Sequence, residues 1–285
     1  MKPAPFAYHA PKTADEAVAK LAELSADDGR ILAGGQSLVP MMAFRMARPA
    51  HLIDINNVAG FDRLAVERDT LSIAPCVRHA AFHRPAAPGP TGALLANVVA
   101  HIAHYPIRLR GTFCGSLAHA DPASEWCLTA VTLGADIVTL GGRGSRHIAA
   151  DDYFQGMMMT ALAEDELLRE VRLPLLPDDT CFGFYEFSRR AGDYAIAMAL
   201  ATYRLRDGVI IEPRLGLGGA EERPRRMAQA EAVLAGQKPE PELFRAAGEA
   251  AAAAVDPLED VHADAEFRRD LVRAVTRRAQ ERAAA

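Results

Sequence analysis

Ile31-Leu32-Ala33-Gly34-Gly35-Gln36-Ser37-Leu38 and Arg110-Gly111-Thr112-Phe113-Cys114-Gly115-Ser116-Leu117-Ala118-His119-Ala120-Asp121-Pro122 are the two stretches on which the reading of this chain turns. Each joins apolar residues to glycine and a small hydroxyl side chain. Glycine admits positive φ and lets a ligand approach the backbone closely. Successive amides in such a turn form an anion-binding concavity. Two of these facing each other would hold the two phosphates of a dinucleotide. Neither stretch has the G-x-G-x-x-G spacing or the Lys-ending phosphate loop of the standard nucleotide fingerprints. Taken singly, each also reads as an ordinary tight turn, with Arg110 a surface charge and Thr112 and Ser116 turn formers.

Around the first stretch the sequence predicts a small β/α layer over residues 1–57. Thr13-Ala14-Asp15-Glu16 is a capping-box pattern, followed at helical spacing by Val18, Leu21 and Leu24. Residues 30–33 read as a short buried strand feeding the glycine turn, and 51–55 as a second strand. A second unit, 58–176, holds a hairpin over 64–74 and helical segments over 93–103 and 124–133. Its second hairpin turns at 141–144, and a strand over 167–173 closes it. Pro174 to Asp179 reads as a linker. The third unit, 177–285, begins with strand candidates over 181–188, 195–206 and 209–217. Helices over 228–234, 241–255 and 263–283 follow. Strands followed by helices indicate an α+β chain.

The 285 residues are 50% hydrophobic and 24% charged, with a net charge of −5. That balance argues against a general nucleic-acid-binding surface. No run nears the roughly 18 consecutive apolar residues of a membrane span, and the first residues lack a signal-peptide core. Cys76, Cys114, Cys127 and Cys181 include no C-x-x-C pair, so no iron–sulfur cluster is expected on this chain. Scattered cysteines of this kind fit a reducing cytoplasm. His101, His104 and His119 with Asp121 and Glu125 lack the zinc-protease spacing and read as ordinary buried or exposed histidines. The series Glu266, Arg268, Arg269, Arg273, Arg277 and Arg278 reads as a solvated or subunit-facing helix surface. No Ser or Cys sits in a nucleophile elbow.

Longer motifs run through the whole chain: LAGGQSLVPMM (32–42), LIDIN (52–56), HIAH (101–104), RGTFCGSLAHADPASE (110–125), RRAGDYA (189–195), LGLGG (215–219) and DVHADAEFRR (260–269). In these the sequence resembles the medium, FAD-binding subunit of the molybdenum hydroxylases, the group that includes carbon-monoxide dehydrogenase and the xanthine dehydrogenases. The resemblance implies a two-part FAD-binding domain of the vanillyl-alcohol-oxidase-like (PCMH) type and a C-terminal α+β domain. It implies an oxidoreductase subunit, a flavoprotein of electron transfer. Electrons would come from 2Fe–2S clusters on a small partner and a molybdenum cofactor on a large partner, in a cytoplasmic heterotrimer that pairs into a dimer of heterotrimers, and would leave to an external acceptor.

For the site, the resemblance implies that Ile31, Leu32, Ala33, Gly34, Gly35, Gln36, Ser37 and Leu38 hold the FAD pyrophosphate. Thr112, Phe113, Cys114, Gly115 and Ser116 would form the opposing wall, with Asp121 and Glu125 as polar supports. Ile102 would lie on the adenine side, and Leu168, Asp193 and Tyr194 on the flavin side. No side chain is expected to act as acid or nucleophile, and no metal ligand is expected. Cys114 stands where the family has glycine. Were that position to need positive φ, a cysteine would cost about 1–2 kcal/mol. The same residue favours an alternative, a non-catalytic assembly protein of this fold that lacks flavin.

Overall fold

Thr13 and Glu16 form the predicted capping box. The Glu16 amide donates to the Thr13 hydroxyl at 3.2 Å, and the Glu16 carboxylate accepts from the Thr13 amide at 3.2 Å. In the computed structural model, which describes residues 2–285, the helix so started is α1 (Ala14–Leu24). It turns Ala17, Val18, Leu21 and Leu24 inward. They pack on a three-stranded parallel sheet ordered β1 (Ala7–His9), β3 (His51–Asp54), β2 (Gly29–Leu32). The expectation of a buried strand at 30–33 is corrected here. β2 is a sheet edge, its residues Arg30 to Leu32 are only half-buried or exposed, and they border a cavity. Helix α2 (Leu38–Ala43) follows the first glycine stretch.

The second unit is a five-stranded antiparallel sheet in the order β4 (Leu64–Glu67), β5 (Thr70–Ile73), β10 (Glu166–Pro174), β6 (Asp136–Gly141), β7 (Gly144–Ala149). Both predicted hairpins are present at its two edges. The closing strand β10 enters between them, so the sheet is completed by a late segment. Helices α3 (Gly89–Val99), α4 (Tyr105–Arg108), α5 (Phe113–His119), α6 (Glu125–Leu133) and α7 (Ala150–Tyr153) lie around it, with a small hairpin of β8 (Phe154–Gly156) and β9 (Met159–Thr160). Their core centres on Trp126, Phe82 and Phe113, whose rings lie 4.8–5.6 Å apart.

The third unit is a four-stranded antiparallel sheet, β11 (Thr180–Phe187), β12 (Ala197–Arg206), β13 (Val209–Gly218) and β14 (Arg225–Arg226). Helices α8 (Ala228–Leu234), α9 (Pro241–Ala254) and α10 (Ala265–Ala284) share a core with it. All nine residues of α6 are buried, because α6 also packs on β12 and β13. A Cβ at Gly216 of β13 would sit 1.9 Å from the Thr132 hydroxyl oxygen, so glycine permits that approach. Arg268 departs from its expected solvated face. It is 3% exposed, donates to the Ile196 and Gly219 carbonyls at 2.8 Å each, and pairs with Asp260 at 2.6 Å. A buried charge persists where it is paired and hydrogen-bonded in this way. Among the described residues no helix is long and apolar enough to cross a membrane.

Candidate functional site

Gly34 brings the two glycine stretches into contact. A Cβ there would lie 2.4 Å from the Arg110 carbonyl oxygen and 2.7 Å from the Gly111 Cα, so any larger residue would push the stretches apart. Gly35 takes φ +71°, the region that only glycine enters without strain. The amides of Gly35, Gln36, Ser37 and Leu38 have no acceptor among the described residues. Backbone donors left this way need water or a ligand.

The second stretch is built differently. The Thr112 hydroxyl caps α5 by accepting the Gly115 amide at 3.0 Å. A Cβ on Gly115 would fall 2.6 Å from that same oxygen. Helical periodicity then divides the stretch. Thr112, Gly115, Ser116 and His119 border a cavity, whereas Phe113, Cys114 and Leu117 enter the core.

A hydrogen-bonded brace joins the two walls. The Asn56 side-chain amide donates to the Ala33 carbonyl at 2.7 Å and to the Asp54 carboxylate at 2.6 Å. Arg78 donates both to the Asn56 side-chain oxygen and to the Arg110 carbonyl. Burial alone would raise the Asp54 pKa. Hydrogen bonds from Tyr8 and Asn56, with the Arg78 charge, hold it below the usual carboxylate range. The brace therefore keeps a fixed negative charge at its end.

Two cavities open between the walls, of about 710 and 210 Å³, within the range of ligand pockets. They share five residues: Gln36, Ser37, His79, Ser116 and His119. The site is thus two-lobed with a polar waist. Free amides and hydroxyls stand at the waist, which suits a ligand with two flat ends and an anionic neck. Burial, reinforced by the Asp121 charge, pushes Glu125 in the smaller lobe up to about 7. That lobe is completed from the third unit, by Gly192, Asp193 and Tyr194. Gly192 has φ +84°, and a Cβ on it would strike the His104 ring at 2.6 Å. FAD, as a dinucleotide with a pyrophosphate neck, fits these features.

The sequence-predicted residues mostly converge. Ile31 to Leu38 line the larger lobe together with Thr112, Gly115 and Ser116. Ile102, Asp121, Glu125, Asp193 and Tyr194 line the smaller one. Three do not reach either lobe with their side chains. Phe113 stacks on Phe82 and Trp126. The Cys114 thiol points to the Ile73 and Ala74 carbonyls, and burial drives its pKa up. Leu168 is 5% exposed and pairs with Thr139 inside the sheet. Cys114 also lies within α5 and is absent from the positive-φ residues, so the strain considered at that position does not arise. Ile102 and Tyr194, assigned by sequence to opposite ends of the ligand, share one lobe.

Sequence reasoning missed Arg78, Asn56 and His79. Asn56 closes the LIDIN motif, but no motif assigns any of the three a role, because their roles depend on contacts 22 to 47 residues away. His119 was weighed as a metal ligand and read as an ordinary histidine, although its spacing from Thr112, Gly115 and Ser116 places it on the cavity face of α5.

Residues 4–176 match the FAD binding domain in molybdopterin dehydrogenase, and residues 182–283 match the CO dehydrogenase flavoprotein C-terminal domain. The nicotine 6-hydroxylase medium subunit of Paenarthrobacter nicotinovorans is 39% identical, over 98% of this chain and 97% of that protein. The caffeine dehydrogenase subunit beta of Pseudomonas sp. (strain CBB1) is 37% identical, over 100% of this chain and 96% of its own. In structure the chain is similar to carbon monoxide dehydrogenase from Hydrogenophaga pseudoflava, with a TM-score of 0.95 and 34% identity over 100% of this chain and 99% of that one. The chain belongs to the FAD-binding medium-subunit family of the molybdenum hydroxylases and is a flavoprotein component of an oxidoreductase.

Proposed function

We propose that one FAD lies across the two lobes, with its pyrophosphate at the waist. The observation that carries this is the run of four free amides at Gly35 to Leu38, facing Ser116 across a waist between two cavities. Ile31 to Leu38, Thr112, Gly115 and Ser116 would hold the neck. Ile102, Asp121, Glu125, Asp193 and Tyr194 would enclose one end. Phe113, Cys114 and Leu168 contribute from behind, as packing. Boundaries at 57/58 and 176/177 divide the chain into two FAD-binding subdomains and a C-terminal domain.

Bound FAD supplies two-electron redox chemistry, and the chain supplies binding, orientation and electrostatics. The brace at Asn56 and Arg78 holds the walls at one spacing, and the buried core behind α5 and α6 keeps water from that side. In this role the chain receives electrons from 2Fe–2S clusters on a small partner subunit, fed by a molybdenum cofactor on a large one. It passes them to an external acceptor, in a cytoplasmic dimer of heterotrimers.

The purified chain is expected to show a flavin absorption spectrum and to release FAD, not FMN, on denaturation. A folded preparation that neither retains nor rebinds FAD would sink the proposal. The assembly-protein reading rested on strain at Cys114, and a helical Cys114 with its thiol in the core removes that support.

A further inference from the structure

We propose that His79 donates a hydrogen bond from Nε2–H to the pyrophosphate of the bound dinucleotide, as an imidazole that stays neutral. The inference rests on the FAD reading above and adds to it a residue that no glycine motif marks.

The tautomer follows from one contact. The Trp126 indole N–H donates to His79 Nδ1 at 2.9 Å. An indole nitrogen only donates, so Nδ1 must offer a lone pair. A neutral imidazole then carries its proton on Nε2. Trp126 is fully buried in α6 and stacked against Phe82 and Phe113, so the donor that sets the tautomer does not move away.

The place of Nε2 follows from Gly111. A Cβ there would lie 2.5 Å from Nε2, and Gly111 itself lines the larger lobe. Glycine at 111 leaves that nitrogen open toward the cleft. His79 is 4% exposed, its Nε2 has no acceptor among the described residues, and it borders both lobes at the waist. Its backbone amide donates to the Gly111 carbonyl at 3.0 Å, which fixes the ring beside the second wall. A donor open to the cleft and free of any protein acceptor needs water or a ligand as its partner; an anionic neck at the waist supplies it.

The charges around the ring explain why it is neutral. Burial, with Arg108 of α4 and the adjacent Arg78, pushes the His79 pKa down to about 3. His119 on α5, Asp121 and Glu125 of α6 face the same cavities. His79 therefore adds a donor to the waist without adding a proton-dependent charge, unlike an exposed histidine that would release phosphate as pH rises through about 6.5.

The test is titration of apo-protein with FAD, ADP and riboflavin, for the wild type, His79→Gln and His79→Phe, at pH values from about 5.5 to 8. Loss of a hydrogen bond to a charged group corresponds to about 10- to 100-fold in affinity. His79→Phe is expected to weaken FAD and ADP by that factor and to leave riboflavin, which has no phosphate, unchanged. His79→Gln, which keeps a donor, is expected to stay within about threefold of the wild type. The His79→Phe deficit is expected to be the same at every pH. Nitrogen-15 NMR of the wild type needs no variant: Nε2 should carry the proton across the range, and its proton signal should shift on ADP addition. Equal FAD affinity in a folded His79→Phe, a deficit that vanishes above pH 6.5, an Nδ1–H tautomer, or an Nε2–H signal indifferent to ADP would each overturn the proposal. A wild type that binds ADP but not FAD would refute the FAD reading and leave His79 to be judged on ADP. A wild type that binds neither would refute both.

Discussion

The two glycine stretches look alike in sequence and solve the same problem in opposite ways. The first is loop backbone. Its glycines serve close approach at Gly34 and positive φ at Gly35, and its amides stay free. The second is a capped helix whose one face borders the cleft while the other anchors the core. The loop that presents amides is packed only through Ile31 and Ala33 at its start, whereas the helix is locked into the core by Phe113 and Leu117. The brace from Asn56 through Arg78 couples them, so the loop wall is tied to the packed one.

Gly34→Val attacks the contact between the walls and should have the largest effect. The new side chain must displace the Arg110 carbonyl and Gly111, which are backbone and not a flexible side-chain end. Overpacking of that sort is destabilising by about 3 kcal/mol. The variant is expected to purify without flavin and with a lowered unfolding temperature, read by the flavin-to-protein ratio and a thermal scan. Retention of flavin at the wild-type ratio would show that the walls are independent.

Arg78→Ala should come next. It removes the donors to the half-buried Asn56 and to the Arg110 carbonyl, and each lost hydrogen bond is worth about 0.5–1.5 kcal/mol. Asn56→Ala cuts the same brace, so the double variant should be less damaging than the two single effects added together. Strict additivity in chemical unfolding would mean that the brace is not one unit. Thr112→Ala is smaller and confined to the second wall. Loss of a helix N-cap is worth about 1 kcal/mol, or roughly 2–4 °C in Tm for a chain of this size. Thr112→Ser should keep the cap and the Tm.

How much of this was legible in the sequence differs by wall. The first wall reads in sequence as a glycine turn with Ser37 close behind it, and the resemblance, not the turn alone, assigned it to the ligand. The second was read as a glycine turn, and the resemblance assigned all of Thr112 to Ser116 to the wall, which is why Phe113 and Cys114 were placed at the ligand. The helical period was nevertheless present: Thr112, Gly115, Ser116 and His119 recur at three and four residues, with Phe113, Cys114 and Leu117 between them. The hairpins at 64–73 and 136–149 and the capping box at Thr13 are local, and they were visible. The brace was not, since Asn56, Arg78 and Arg110 meet only after β3 and the segment following β5 are in place. Arg268 was misassigned for the same reason: its acceptors at Ile196 and Gly219 lie 72 and 49 residues away.

Cys114→Gly restores the glycine of the family pattern and separates two accounts of the second wall. Were Cys114 strained by positive φ, glycine would relieve it, raising Tm and tightening FAD. In the structure Cys114 occupies the first turn of α5 with its thiol against the Ile73 and Ala74 carbonyls. Glycine there loses the buried thiol and adds backbone freedom to a helix, a penalty of about 1 kcal/mol. The expected result is a Tm lowered by roughly 2–4 °C with FAD affinity unchanged, because the side chain faces the core and the cavity face of α5 is untouched. A stabilised variant would place residue 114 back in a loop. Weakened FAD binding at full stability would mean that the core face of α5 sets the geometry of its cleft face, and the contrast between the two walls would narrow accordingly.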